Sequence, residues 1–400
     1  MKSPGSVMGE PEARPVSDDR AFHRTRAQMI PGRPAPVTTV GVLGWLRANL
    51  FSSWVSTVLT VAALLLLWRV VPPLLGWAFF NADFSGATGE ECTAAGACWA
   101  WLDQRISQFL YGFYPSDSYW RVNVTVILLI PAVAYVLFDK LPYARYGRRF
   151  SIAYVLIATF LLVGGLPVRD ETGQVVGSLF GIRSISTDQF GGFMLNLVAG
   201  LAGIVLSLPI GILLALGRRS TLPAVRLASI AFIEVVRGVP LITLLFVAIT
   251  ILKLFLPPGV SLDQLIRVMV MITAFSSAYM AEVIRGGLQA IPNGQYEAAQ
   301  AMGLSYWKMM RLVILPQALK ISIPGIVNTF IGLFKDTTLV VTIGLFDILG
   351  HARLLQTNPD WIGKVDHETF VIAALFFFVI CFSMSRYSIN LERRLDTTRR

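Results

Sequence analysis

Three stretches place acid and base at close spacing inside, or at the edge of, runs that are otherwise strongly apolar. In Glu234-Val-Val-Arg237-Gly238-Val-Pro240 the two charges stand three apart, so on a helix they share a face and can pair. Gly238 and Pro240 then loosen the backbone where an apolar run begins. Tyr279-Met-Ala-Glu282-Val-Ile-Arg285-Gly286-Gly287 repeats acid-x-x-base-Gly at the end of another run. The third, Lys335-Asp336-Thr337-Thr338, lies within the run 321–348. A charge at such a depth costs a few kcal/mol or more unless paired or wetted. For the first stretch the choice is between an ion pair that anchors a helix at the interface and a site that also shapes a pathway or partner contact. For the third, either Asn328, Thr329 and Asp336, close to two helical turns apart, line a polar pathway with Thr337 beside them, or the helix ends at Phe334 and Lys335 reaches the outer surface.

A fourth segment, 287–316, should be a wet loop yet carries Tyr306, Trp307, Met309 and Met310. Glu297 to Met302 is strong helix former, Gly303 is placed to stop that helix, and Ser305 to cap a second short one. Two short helices with an apolar and aromatic tip fit a groove on another protein; the alternative is an amphipathic hairpin on the lipid surface.

These segments need a scaffold, and the composition specifies its solvent. Of 400 residues 54% are hydrophobic and only 14% charged, with a mean hydropathy of +0.63. Soluble domains carry about 25% charge, so this chain cannot coat a water-facing surface and must be an integral membrane protein. Apolar runs at about 53–72, 122–138, 150–168, 192–216, 238–256, 267–284, 321–348 and 369–386 predict eight helices, an all-α polytopic bundle. The formal charge of +10 does not call for nucleic acid. With both termini inside, the inside segments hold 23 Lys and Arg and the outside segments 7, the asymmetry of a multi-pass protein with both ends cytoplasmic. Residues up to about 50 read as a largely disordered cytoplasmic tail without a signal peptide, and 391–400 as a second tail. Cys92 and Cys98 fall in the outside loop 81–121, where they form a disulfide or remain free thiols. No cysteine–histidine spacing suggests a metal.

The pattern Glu297-Ala298-Ala299, Gly303, then Val313-x-Leu315-Pro316 resembles the EAA loop of ABC-type import permeases, with Val in place of the usual Ile. Glu234…Pro240, Ala281-Glu282-x-x-Arg285-Gly286-Gly287 and Lys335-Asp336-Thr337-Thr338-Leu339 extend the likeness to the polar amino acid uptake branch, over about 190–390. The spans at 51–190 look like those of the long permease subunit of general L-amino acid transporters. The resemblance implies a core of five helices in the importer permease fold, residues 191–390, behind an added N-terminal membrane region. It implies that Glu297, Ala298, Ala299, Gly303, Trp307 and Pro316 shape a coupling helix gripped by a cytoplasmic ABC ATPase dimer. Glu234, Arg237, Gly238, Pro240, Glu282 and Arg285 would be structural or gating residues. Further implied partners are a second, different permease, a periplasmic amino-acid-binding protein, the amino acid itself and membrane lipid. ATP would be used by the partner, since the chain has no Gly-x₄-Gly-Lys-Ser/Thr loop, and no cofactor is expected on this chain. An intramembrane enzyme built on Asp347, His351 and His367 lacks paired metal spacing or a nucleophile motif; a passive channel is the other rival.

Overall fold

The computed structural model of the chain describes residues 41–93, 95–138, 140–165, 167–169, 175–178, 182–255, 257 and 262–395. Of the disordered tail expected up to about residue 50, residues 1–40 lie outside the described residues, whereas 41–49 form a helix; residues 396–400 of the second expected tail also lie outside them. The chain divides into two compact units, Met1–Leu74 and Leu75–Arg400.

The first unit contains α1 (Gly41–Asn49) and nearly all of α2 (Trp54–Leu75), an apolar helix with no buried residue. Pro72 and Pro73 remove two amide donors from its last turn, and the chain continues as a π-helical turn, Gly76–Phe80.

The second unit is built from α3 (Ala100–Tyr111), α4 (Tyr119–Leu137), α5 (Ala144–Val163), α6 (Gly192–Arg218), α7 (Pro223–Gly238), α8 (Leu241–Ile249), α9 (Gln264–Gln289), α10 (Asn293–Ala301), α11 (Tyr306–Met309), α12 (Leu315–Asp336), α13 (Ile348–Gln356) and α14 (Glu368–Leu395). Seven helical stretches among the described residues are long and apolar enough to cross a membrane. The eighth expected span, 238–256, is instead the pair α7 and α8, bent by 103°. The cause is local: Pro240 bars α-helical geometry at Val239, which is extended at φ −110°, ψ 134°. An antiparallel hairpin, β1 (Pro167–Arg169) with β2 (Val175–Ser178), adds the only strands among the described residues.

α6 and α9 run through the middle of the unit. At one end they pack with α10 to α12 around Met280, Ile284, Leu288, Ile314 and Ala318; at the other with α8 around Leu195, Leu245, Val268 and Ile272. The crossing of α9 and α12 requires glycine at 287: a Cβ there would stand 2.5 Å from the Ala318 carbonyl oxygen and 2.0 Å from Ser322 Oγ.

The run expected at 321–348 begins earlier and ends differently. It starts at Tyr306 as α11, passes through a π-helical turn at Met310–Ile314 and continues as α12. The wide turn suits Pro316, which has no amide to donate. At Thr337 the helix tightens to 3₁₀ geometry up to Ile343, and Gly344 turns the chain at φ +83°. A buried knot fixes this ending. Asn196 Nδ2 donates to Thr337 Oγ1 at 3.0 Å and to Asp347 Oδ2 at 2.9 Å, while Asn196 Oδ1 accepts from Ile348 N at 3.2 Å. Asp347 also caps α13, accepting from Gly350 N at 2.9 Å.

Over that end lies a small cap. Cys92 and Cys98 form a disulfide with Cα atoms 5.7 Å apart, which settles the alternative left open by their spacing. Cys98 N donates to Glu368 Oε1 at 3.3 Å and Gly89 N to the Asp360 carbonyl at 2.7 Å, so the 81–118 loop is sewn to the segment before α14. Trp101 and Trp361 fill its centre.

Asp347 and His351 are almost fully buried and lie outside the spans. Burial raises the Asp347 carboxyl from 3.8 to about 6, against the pull of its hydrogen bonds, and lowers the His351 imidazole from 6.5 to about 4. Both ring nitrogens of His351 lack hydrogen-bond partners. The signs oppose. Stability from protonated Asp347 is complete below pH 3.8 and lost as pH rises through about 6; that from neutral His351 is complete above 6.5 and lost as pH falls through about 4. Each swing is on the order of 3 kcal/mol. Thermal unfolding of the solubilised protein should therefore vary little between these limits. His351→Phe should lose stability as pH rises and Asp347→Asn as pH falls, and parallel profiles for all three proteins would contradict this.

Candidate functional site

The two acid-x-x-base motifs converge, and only the second, Glu282 with Arg285, closes as an internal pair. Glu282 on α9 is the hub. Arg218, the last residue of α6, donates from Nη1 to Glu282 Oε1 at 2.7 Å and to Glu234 Oε1 at 2.9 Å. Arg285 donates from Nη2 and Nε to Glu282 Oε2 at 2.8 and 3.0 Å. Arg237 of α7 approaches the same oxygen at 3.7 Å, its guanidinium over the Tyr279 ring. The expected Glu234–Arg237 pair is thus replaced by partners on other helices. Glu282 is the most buried acid of the group, at 16% side-chain exposure against 55% for Glu234; a carboxylate taken that far from water gains most from charge-assisted bonds. Gly238 and Pro240 follow directly and make the bend between α7 and α8. Arg218 was not singled out by the sequence, because a basic residue at a span end reads as interfacial.

The second part of the site is the α10–α11 hairpin, joined to this cluster through α6. Arg219 stacks over the Tyr296 ring at 5.5 Å and donates to its hydroxyl at 3.0 Å, and that hydroxyl donates to the Leu288 carbonyl at 3.2 Å. Ala299, Met309 and Met310 are buried against the bundle, whereas Glu297, Ala298, Gly303 and Pro316 are exposed. Met302 and Trp307 stand out furthest, at 80% and 67% exposure. Gly303 ends α10 in the left-handed region at φ +71° with open space around it. Ser305 holds the cap position of α11 without a side-chain capping bond. The second helix of the pair is not a separate short helix but the start of the long one that becomes α12.

The polar residues of α12 do not all share one setting. Asn328 is exposed, and Thr329 and Asp336 are half-buried, the Thr329 hydroxyl donating to the Gly325 carbonyl at 2.9 Å. Asp336 is the last residue of the α-helical part. Thr337 is fully buried in the knot with Asn196 and donates to the Phe334 carbonyl. Another buried group that the sequence did not flag is Arg267 of α9, which donates to the Ala248 and Ile249 carbonyls at 3.1 Å and so closes the end of α8. Among the described residues no group of three His, Cys, Asp or Glu could hold a metal ion.

Comparison with known proteins places this arrangement. Residues 207–397 match the family described as binding-protein-dependent transport system inner membrane component. The chain is 47% identical to the inner membrane amino-acid ABC transporter permease protein YhdY of Escherichia coli, over 92% of this chain and 97% of that one. It is 45% identical to the glutamate/glutamine/aspartate/asparagine transport system permease protein BztC of Rhodobacter capsulatus, over 96% and 100%. Among solved structures, a chain of an amino acid ABC transporter with histidines is 31% identical over 51% of this chain and 92% of that chain, with a TM-score of 0.45. The chain belongs to the binding-protein-dependent inner-membrane permeases: it is a multi-pass transport subunit rather than an enzyme, and ATP hydrolysis falls to a separate chain.

Proposed function

We propose that this subunit forms part of the pathway of an ATP-driven amino-acid importer and that the α10–α11 hairpin is the handle by which a cytoplasmic ABC ATPase dimer moves it. The observation that carries the proposal is the hairpin's two-sidedness. Its inner face is buried in the bundle and braced through Tyr296 and Arg219, and its outer face presents Glu297, Gly303, Met302 and Trp307 with nothing over them. A handle needs both: a face to grip and a stiff link to what it moves. The excess of Lys and Arg on the hairpin side supports a cytoplasmic placement for it and for both termini. The opposite end would receive the amino acid from a periplasmic binding protein, and a second, related permease would complete the pathway.

ATP-driven closure of the ATPase dimer would draw the hairpin inward, and α9 and α12 would carry the displacement to the pathway as packed rods. Glu282 ties α6, α7 and α9 at the inner mouth and acts there as a gating strut. Asp336, with Asn328 and Thr329, serves the ammonium and polar groups of the passing amino acid. One acid and few other fixed charges suit varied side chains better than a strongly basic substrate. The relatives, one an amino-acid permease and the other a glutamate/glutamine/aspartate/asparagine permease, support an amino-acid cargo.

Three measurements test this. Trp307→Ala should weaken co-purification with the ATPase by about 2 kcal/mol, roughly thirtyfold in affinity, as for a central aromatic anchor. Glu297→Lys or Gly303→Asp should uncouple ATP hydrolysis from uptake without loss of membrane insertion. Full ATPase binding and transport by all three variants would contradict the coupling role. Asp336→Asn should lose most amino-acid uptake in proteoliposomes while the ATPase still docks; unchanged uptake would remove Asp336 from the pathway.

A further inference from the structure

We propose that a phospholipid bearing both a phosphate and a primary ammonium occupies a partly open cavity of about 1400 Å³ between α4, α5, α6 and α9. The inference does not depend on the cargo or on the coupling hairpin. Enclosing pockets for small molecules run to about 300–1,000 Å³ and place polar groups around their ligand. This cavity is larger, and its walls offer almost nothing polar below its rim. Thr125 and Thr159 line it, but each hydroxyl is committed to a carbonyl of its own helix, Arg121 and Val155, at 2.8 Å. Below the rim a carboxylate would find no hydroxyl of Thr125, Tyr154 or Thr159 free to donate, whereas hydrocarbon chains need none.

The cavity's depth matches one leaflet. Along α6 it is lined from Met194 to Leu206, twelve residue steps or roughly 18 Å at the helical rise. Half of a bilayer's hydrocarbon core is about 15 Å. It begins at the end where α4, α6 and α9 start and α5 finishes, the end away from the hairpin. Val126, Val155, Val205 and Leu206 line it and are exposed, so its open side is apolar, as a lateral entrance from lipid requires.

The polar groups gather at that one end and carry both signs. Arg183 lies on the rim, largely exposed, with Asp117 no nearer than 3.9 Å. Asp263 lies on the same rim, accepting from the Thr187 hydroxyl and from Ile266 N, and a carboxylate has capacity for further donors. A guanidinium for phosphate and a carboxylate for ammonium describe a zwitterionic aminophospholipid headgroup better than a purely anionic one. With its chains between α4–α5 and α6–α9, such a lipid would fill the seam between the added helices and the transporter core.

The test uses the intact complex, reconstituted in nanodiscs with equal phosphatidylethanolamine and phosphatidylcholine, re-extracted in mild detergent and read by native mass spectrometry. We expect one retained phospholipid per permease chain, with phosphatidylethanolamine favoured by at least about fivefold, or about 1 kcal/mol. Ala158→Trp, which narrows the cavity, should reduce retention severalfold. Arg183→Gln combined with Asp263→Asn, which keeps a helix cap at 263, should retain lipid but lose the preference. A photoreactive diazirine residue at Leu201 in the otherwise unaltered chain should label lipid, and it decides the matter if the Ala158→Trp variant fails to fold. No retained lipid, equal retention by Ala158→Trp, or labelling of a protein chain or an amino acid at 201 would overturn the proposal.

Discussion

A carboxylate withdrawn from water must find cations, and Glu282 finds three on three segments of chain. Arg218 closes α6, Arg237 closes α7, and Arg285 lies one turn further along α9. Each pair alone would be ordinary. Together they hold the inner ends of three helices on one side chain, so these ends cannot separate without leaving charge uncompensated at partial burial, which is the costly way to break such a contact. The hairpin is attached to the same assembly: Arg219, next to Arg218, grips Tyr296, and Tyr296 returns to the Leu288 carbonyl on α9. The hairpin and the end of the bundle that carries Glu282 are therefore parts of one bonded assembly.

The far end is held by different means. Asn196 joins the 3₁₀ end of the long helix to the start of α13, and the disulfide-bearing cap is hydrogen-bonded to the segment that leads into α14. One end is thus held by ion pairs at partial burial, and the other by buried hydrogen bonds, including those accepted by the Asp347 and Glu368 carboxylates, and by a disulfide.

Much of this was legible in the sequence because lipid imposes simple rules. Seven of the eight expected spans followed from apolar length; Gly238 and Pro240 marked where the backbone loosens, but the helix before them and its sharp bend into α8 were not expected. The charged motifs stood out because they violate apolarity. What the sequence could not supply was which charge meets which. The spacing of Glu234 and Arg237 permits a pair within α7, but packing brought a more buried acid within reach of both arginines concerned. The fate of Thr337 was hidden for a related reason. Its neighbours suggest an open polar face, while the change to 3₁₀ geometry after Asp336 turns it into the core toward Asn196, 141 residues away in the chain. The hairpin's second helix was misjudged in length because Pro316 reads as a boundary, and a π-helical turn carries the helix through it.

The most direct test of the central claim is the ratio of amino acid transported to ATP hydrolysed for Glu282→Gln in the reconstituted complex. Glutamine keeps the size and one acceptor oxygen but removes the charge that gathers the arginines. The account predicts continued ATP hydrolysis with the ratio reduced about tenfold, equivalent to about 1.4 kcal/mol of lost coupling. Glu234→Gln, at the exposed edge of the cluster, should shift it by less than about threefold. A ratio for Glu282→Gln equal to that of the unaltered protein would contradict the claim that this one carboxylate joins the motor's handle to the gate.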